Sequence, residues 1–201
     1  MIRALDDTLE ALLKGFAPAG SQLASAQISF DIPDARWRAS LEQLTVNCYL
    51  YDIQQNAELR TTEPVVVRSA DKTRAVRLPP PVRIDCAYCI TAWSPAANES
   101  VLEEHRLLSQ ILKVLLRHPV IPTAALRGEL VHQLPPYPTV VASQGGVKNP
   151  PEFWGALDQK LKPSLNYVVN LAMNLEDEPV DGAKAPVVST PVVDTKPKES
   201  A

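Results

Sequence analysis

Residues 82–93 read Val82-Arg83-Ile84-Asp85-Cys86-Ala87-Tyr88-Cys89-Ile90-Thr91-Ala92-Trp93, directly after Pro79-Pro80-Pro81. Val82, Ile84, Cys86, Tyr88 and Ile90 alternate with Arg83, Asp85, Ala87, Cys89 and Thr91, which is the period of two that a pleated strand imposes. The three prolines cannot donate to a strand ladder, so they set where the strand starts. Working outward, 44–53 alternates in the same way, with Leu44, Val46, Cys48 and Leu50 opposed to Thr45, Asn47, Tyr49 and Tyr51. At 165–175, Leu165, Tyr167, Val169, Leu171, Met173 and Leu175 face away from Asn166, Asn170 and Asn174. Fainter alternation predicts strands near 27–31, 64–68 and 73–78. The stretch 122–148 reads as loop with a short strand at 139–142.

Helical spacing fills the gaps. Ile2, Leu5, Leu9, Leu12 and Phe16 recur every three or four residues, so 2–16 should form an amphipathic helix that Gly15 helps to end. Ser100 and Glu103 have capping-box spacing ahead of Leu108, Ile111, Leu112 and Leu115, which predicts a helix over 101–117 closed by Pro119. Asn149 followed by Pro150, Pro151 and Glu152 predicts another start, running through Phe153, Trp154, Leu157 and Leu161 until Pro163. The order is α+β: a mixed, largely antiparallel β-sheet with flanking helices. One domain is expected over 1–177. From 178 to 201 the chain turns to Pro, Val, Lys, Thr, Ser and acids without an aromatic, the composition of a flexible tail.

The 201 residues are 45% hydrophobic and 21% charged, enough apolar material for one sizeable core. A net charge of -3 gives no general attraction to phosphate backbones, so nucleic acid is not an expected partner. The chain has no apolar run of membrane-spanning length, and its first residues carry acids where a signal peptide carries a basic then apolar run, so synthesis in the cytoplasm is expected. Three cysteines, Cys48, Cys86 and Cys89, do not make a disulfide framework.

The chemical candidates each meet a physical objection. Cys86 and Cys89 form a CxxC, but on a strand residues three apart point to opposite faces, so their thiols diverge. His105 and His118 are thirteen residues apart on one predicted helix, about 20 Å, too far to share a ligand. His132 lies in a proline-rich loop without a nucleophile motif. Gly145-Gly146-Val147-Lys148 lacks phosphate-loop context and reads as a turn. Asp6-Asp7 and Glu176-Asp177-Glu178 read as solvated charge at element ends. Trp37, Trp93 and Trp154, with Tyr49, Tyr51 and Tyr88, are expected in or beside the core. No catalytic, cofactor-binding or metal-ligating residue is assigned. The one local excess of positive charge, Arg60, Arg68, Lys72, Arg74 and Arg77, is a candidate docking surface for an acidic partner.

The ordered set of motifs resembles the N-terminal-domain family of the cap, or tail-terminator, protein of extracellular contractile injection systems of the antifeeding-prophage type. The stretches that carry it are Ile2-Arg3-Ala4-Leu5 to Leu12-Leu13, Ile28-Ser29-Phe30-Asp31 with Pro33, and Val46 to Ile53 with Asn56 and Leu59-Arg60. They continue with Pro80 to Asp85 and on to Tyr88 and Thr91-Ala92-Trp93, then Glu104 to Leu108, His118 to Pro122, and Phe153-Trp154 with Leu161 to Tyr167. The family has Leu or Phe where this chain has its cysteines. The resemblance implies a tail-terminator-like structural subunit without enzymatic activity or cofactor. It would form a hexameric ring on the inner tube, contact the last sheath layer and stop polymerisation, within a particle either released or kept by the cell. Two other readings compete with it. One is an adaptor that anchors a particle to membrane or cargo through the 178–201 tail. The other is a small hydrolase or ligand-binding domain built on His132 and the 122–148 loop.

Overall fold

The computed structural model describes residues 1–63, 65–68, 75–96, 98–132, 138–142 and 146–175, with 65–68 and 75–78 described by backbone alone. The chain divides into two compact units, of which the first comprises Met1–Leu59 and Arg83–Met173.

That first unit is built on a five-stranded sheet: β1 (Gln27–Ser29), β2 (Thr45–Gln55), β5 (Val82–Trp93), β6 (Thr139–Val141) and β7 (Leu165–Met173). Its spatial order is β1-β2-β5-β7-β6. β1 runs parallel to β2, whereas β2–β5 and β6–β7 are antiparallel. The expected mixed, largely antiparallel sheet with flanking helices is the fold. The second unit contains the antiparallel hairpin of β3 (Val65–Arg68) and β4 (Ala75–Leu78), in which Val66 pairs with Arg77 and Arg68 with Ala75. The 178–201 stretch and the loop between these two strands lie outside the described residues.

Both faces of the sheet are covered. On one face Val46, Cys48, Cys86, Tyr88, Ile90, Tyr167, Val169 and Leu171 form a single apolar cluster with helix α1 (Ile2–Gly15) and helix α4 (Ser100–Arg117). α1 supplies Leu5, Leu9, Leu12 and Leu13, and α4 supplies Leu107, Ile111, Val114 and Leu115, the i, i+3/i+4 stripes that amphipathic helices bury. On the other face lie Cys89 and Trp93, joined by Trp154 from the short helix α5 (Pro150–Ala156). The expected one-sided strand at 44–53 therefore buries both faces at its start, from Thr45 to Cys48.

A bulge between Leu50 and Asp52 changes the phase of β2. Leu50 pairs with Tyr88 before it, and Asp52 with Ala87 and Ile53 with Cys86 after it. One extra residue in one strand moves the next side chains to the opposite face. Tyr51 and Asp52 thus both belong to the α5 face.

Several predicted ends move. α1 ends on Phe16, whose N–H bonds to Leu12 O at φ -112°, so Gly15 does not terminate it by a left-handed turn. The capping box at α4 does not form: Glu99 is the N-cap, at φ 58°, and Glu103 is engaged by the Ser94 hydroxyl instead. Asn149 caps α5 without a side-chain bond to its backbone, donating to Glu152 at 2.7 Å, and the helix stops at Ala156, leaving Leu161 exposed. Helices α2 (Gln22–Ser25) and α3 (Ala35–Ala39) have no counterpart in the expectations. The 122–148 loop holds two short 3-10 helices, Thr123–Ala125 and Gly128–His132. There Gly128 sits at φ +54° with an added Cβ only 3.1 Å from Ala4 Cβ, so both backbone and space require glycine.

Candidate functional site

The α5 face of the sheet concentrates the aromatic and polar side chains. Trp93 meets Trp37 edge-on at 5.5 Å and Trp154 at 6.4 Å, while Phe153 packs on Trp154 at 5.5 Å and on Tyr51 at 5.8 Å. Trp93 donates its indole N–H to Thr91 Oγ1 at 2.8 Å, which satisfies the polar atom that burial would otherwise strand. Lys162 lies 4.4 Å over the Trp93 ring and is ion-paired with Glu104 of α4. Both members of that pair are 14% exposed. Burial lowers the Lys162 pKa and Glu104 acts against that shift. Glu104 also accepts the Ser94 N–H at 3.1 Å, so this carboxylate ties three segments together.

Further along the same face the aromatic patch gives way to a polar ladder. Tyr51 donates to Asn166 Oδ1 at 2.8 Å. Asn170 donates to Asp85 at 2.7 Å and accepts from Arg83 at 3.1 Å, and Asn56 donates to the second oxygen of Asp85 at 2.8 Å. Asn166 and Asn170 of the predicted asparagine face are thus cross-strand partners, whereas Asn174 lies past the end of β7 and is exposed. Two depressions open beside it. One of about 280 Å³ includes Tyr51, Cys89, Gly146, Trp154 and Asn166, and one of about 490 Å³ includes Asp52, Gln54, Asp85, Ala87 and Lys148.

The thiols do not make a chemical site. Cys86 belongs to the α1/α4 face and Cys89 to the α5 face, as the strand geometry requires. Burial raises the Cys86 and Cys89 thiols to about 11 and pushes Cys48 up as well, so all three resist becoming thiolates. Among the described residues no group of three His, Cys, Asp or Glu converges. His118 is the C-cap of α4, its Nδ1 2.8 Å from Val114 O and its ring 4.4 Å from Phe16, so it is less a surface residue than expected. His105 is exposed. His132 is exposed too, and the depressions described above are lined by other residues. His132 lines neither of these two depressions, so they do not favour the hydrolase reading.

Asp6 is a site-like residue that sequence reasoning missed. Expected as solvated charge, it accepts the hydroxyl of the fully buried Tyr88 at 2.9 Å. Burial raises its pKa, against the lowering effect of the Tyr88 bond. The signal was available: Asp6 follows Leu5 on the helix stripe, next to the buried arc. Of the candidate basic surface, Arg60 is exposed, Arg68 and Arg77 are placed by backbone register alone, and Lys72 and Arg74 lie outside the described residues.

The sheet leaves both lateral edges lightly covered. β1 pairs only with Thr45–Asn47, so among the described residues no strand pairs with the rest of β2 on that side. At the opposite edge β6 is three residues long, and Val120 and Pro138 form an isolated bridge beside it. Within α4, Val101 and Leu116 are 58% and 59% exposed.

A model of the Pvc16 N-terminal domain matches residues 4–190 of the chain. The cryo-EM structure of a PVC sheath/tube terminator, from an extracellular contractile injection system in its extended state, shares the fold with a TM-score of 0.64 at 23% identity, over 100% of this chain and 64% of that one. The tube-terminating cap of the anti-feeding prophage gives a TM-score of 0.60 at 23% identity, over 94% of this chain and 60% of that one. This chain thus spans less than two thirds of the length of either neighbour. No curated protein matches it in sequence.

Proposed function

The chain belongs to the Pvc16 N-terminal domain family, and from that membership we propose that it is a non-enzymatic structural subunit that caps the tube and sheath of a contractile injection particle and ends their polymerisation. One observation carries the reading: the family model runs over 4–190, and two solved chains that share the fold are terminators of such particles. Residues 1–177 serve as the cap domain and 178–201 as a Pro-rich tail. Its partners are further copies of itself, in a hexameric ring, and the tube and sheath proteins of the same particle, with assembly in the cytoplasm.

The physical requirements of a terminator support this. A ring in which each subunit contacts two neighbours uses two different surfaces that close by rotation. Open-ended strand addition would defeat a terminator, and the outermost strands are three residues each, with Pro138 directly before β6 and Pro33 four residues after β1, which leaves the outer side of β2 beyond Asn47 as the one long open edge among the described residues. The basic run Arg60, Arg68, Lys72, Arg74 and Arg77 is the surface offered to an acidic rim of tube or sheath. Light scattering on the purified chain, alone and with preassembled tube, tests the reading. The expected result is a ring, or a monomer that becomes a ring on tube ends; a stable monomer without affinity for tube would overturn it.

A further inference from the structure

Resting on the ring reading, we propose that copies of this chain join head to tail through the two lateral edges of the sheet. The basic, apolar edge at α4 and β6 of one copy sits against the acidic, apolar edge along β2 of the next.

At about 100° per residue, Val101, Leu108, Leu112 and Leu116 form a stripe on α4 beside the buried one. Its lower end continues into Val120 and Val140, 43% and 51% exposed. These residues adjoin, because Thr139 N–H bonds to Pro119 O at 2.9 Å and Thr139 Oγ1 lies 3.3 Å from His118 O. Lys113 and Arg117 flank the stripe, both exposed, and no acidic residue occurs between His105 and Val120. This edge is apolar, with a positive border over its C-terminal half, while Glu99, Glu103 and Glu104 stand at the Val101 end.

The opposite edge has the complementary sign. Beyond Asn47, β2 continues for eight residues without a neighbour on its outer side among the described residues, roughly 25 Å of strand. Ile53 is 48% exposed there on the α1/α4 side, its neighbour Asp52 stands on the α5 side across the depression that Lys148 also lines, and exposed Glu58 lies just past the strand, with no Lys or Arg between Asp52 and Leu59. The segment after β1 lies against the same edge, since Asn47 Nδ2 donates to Asp31 O at 2.9 Å, and it presents exposed Asp31 and 56%-exposed Ile32. Asp52 accepts the neutral Gln54 amide at 2.7 Å. The strand order places these two edges at opposite ends of the sheet, the arrangement that head-to-tail closure needs. Apolar centres with opposite-signed borders favour that pairing and disfavour like edges meeting.

The test uses two charge-reversed forms of the full chain, K113E/R117E and D52K/E58K, with circular dichroism to establish that each folds. Light scattering with and without tube is expected to show self-association weakened about tenfold or more in either form. An equimolar mixture is expected to recover the wild-type ring, because copies with two acidic edges alternate with copies with two basic edges. Folded variants that each retain the wild-type ring, or a mixture that stays dissociated, overturn the edge pairing while leaving the ring reading standing. A wild-type chain that neither associates nor caps tube overturns both.

Discussion

The two faces of the sheet solve burial in opposite ways. The α1/α4 face is closed by Leu, Ile and Val from two long helices, and its residues Leu5, Leu12, Tyr88, Leu107, Ile111 and Leu115 are wholly buried. The α5 face is closed by aromatic rings, one ion pair and a ladder of amides, and it keeps open depressions of about 280 and 490 Å³. A helix of seven residues cannot cover what helices of fourteen and eighteen can. The first face buries the larger aliphatic cluster, and the second trades close packing for polar groups bonded from strand to strand.

Substitutions can break that contrast. The largest effect is expected from Ile111→Ala, which should cost about 4 kcal/mol in urea unfolding, because a fully buried aliphatic is removed from a face with no room to collapse. A smaller cost near 1 kcal/mol would mean that the face is not close-packed. On the α5 side, Glu104→Ala should cost about 3 kcal/mol by leaving Lys162 buried without its partner. The double change E104L/K162M should return most of that loss, which separates the penalty of an orphaned charge from the worth of the pair. Asn170→Ala, which removes bonds to Asp85 and Arg83, is expected to cost about 1–2 kcal/mol by thermal melting.

The smallest effect is a pH dependence that sharpens the boundary between the faces. The folded pKa of Asp6 is raised above 3.8 by burial, so its contribution to stability is present below about that pH and is lost as pH rises through the folded value. Asp6→Asn should therefore gain stability relative to wild type as the pH rises above about 4, as read by denaturation midpoints at each pH. A gap between the two proteins that stays constant with pH would show Asp6 to be solvated.

The long strands were legible because alternation over nine to twelve residues has no other cause. In β5 the even-numbered residues do face the aliphatic core, yet Thr91 and Trp93 are as buried as Ile90. Alternation reports which side a residue faces, and a central strand covered on both sides buries either set. Helices α2 and α3 were missed because four and five residues are too few to show a period. Their caps were visible nevertheless: Ser21 accepts from Ala24 N–H at 3.3 Å and Asp34 from Trp37 N–H at 2.7 Å. The bulge in β2 could not be read, since Tyr51 and Asp52 look like one more step of alternation. Nor could the Lys162–Glu104 pair, whose members stand 58 positions apart. The resemblance carried the family, but the lateral edges emerge only once the strand order is known.

That strand order also sets how the chain reaches its folded state. β1 finds β2 across 30–44, β2 finds β5 across 56–81 and β6 finds β7 across 142–164, but β5 lies beside β7, more than seventy positions later, so the central pairing of the sheet is the distant one. Pairings this distant along the chain make folding slow, because loop-closure entropy is lost before any contact rewards it. During synthesis at about 5–20 residues per second, the N-terminal helix and its strands wait for several seconds before β7 arrives to complete the sheet. In that interval β5 lacks a neighbour on one side, and the nascent chain is a natural client for chaperones.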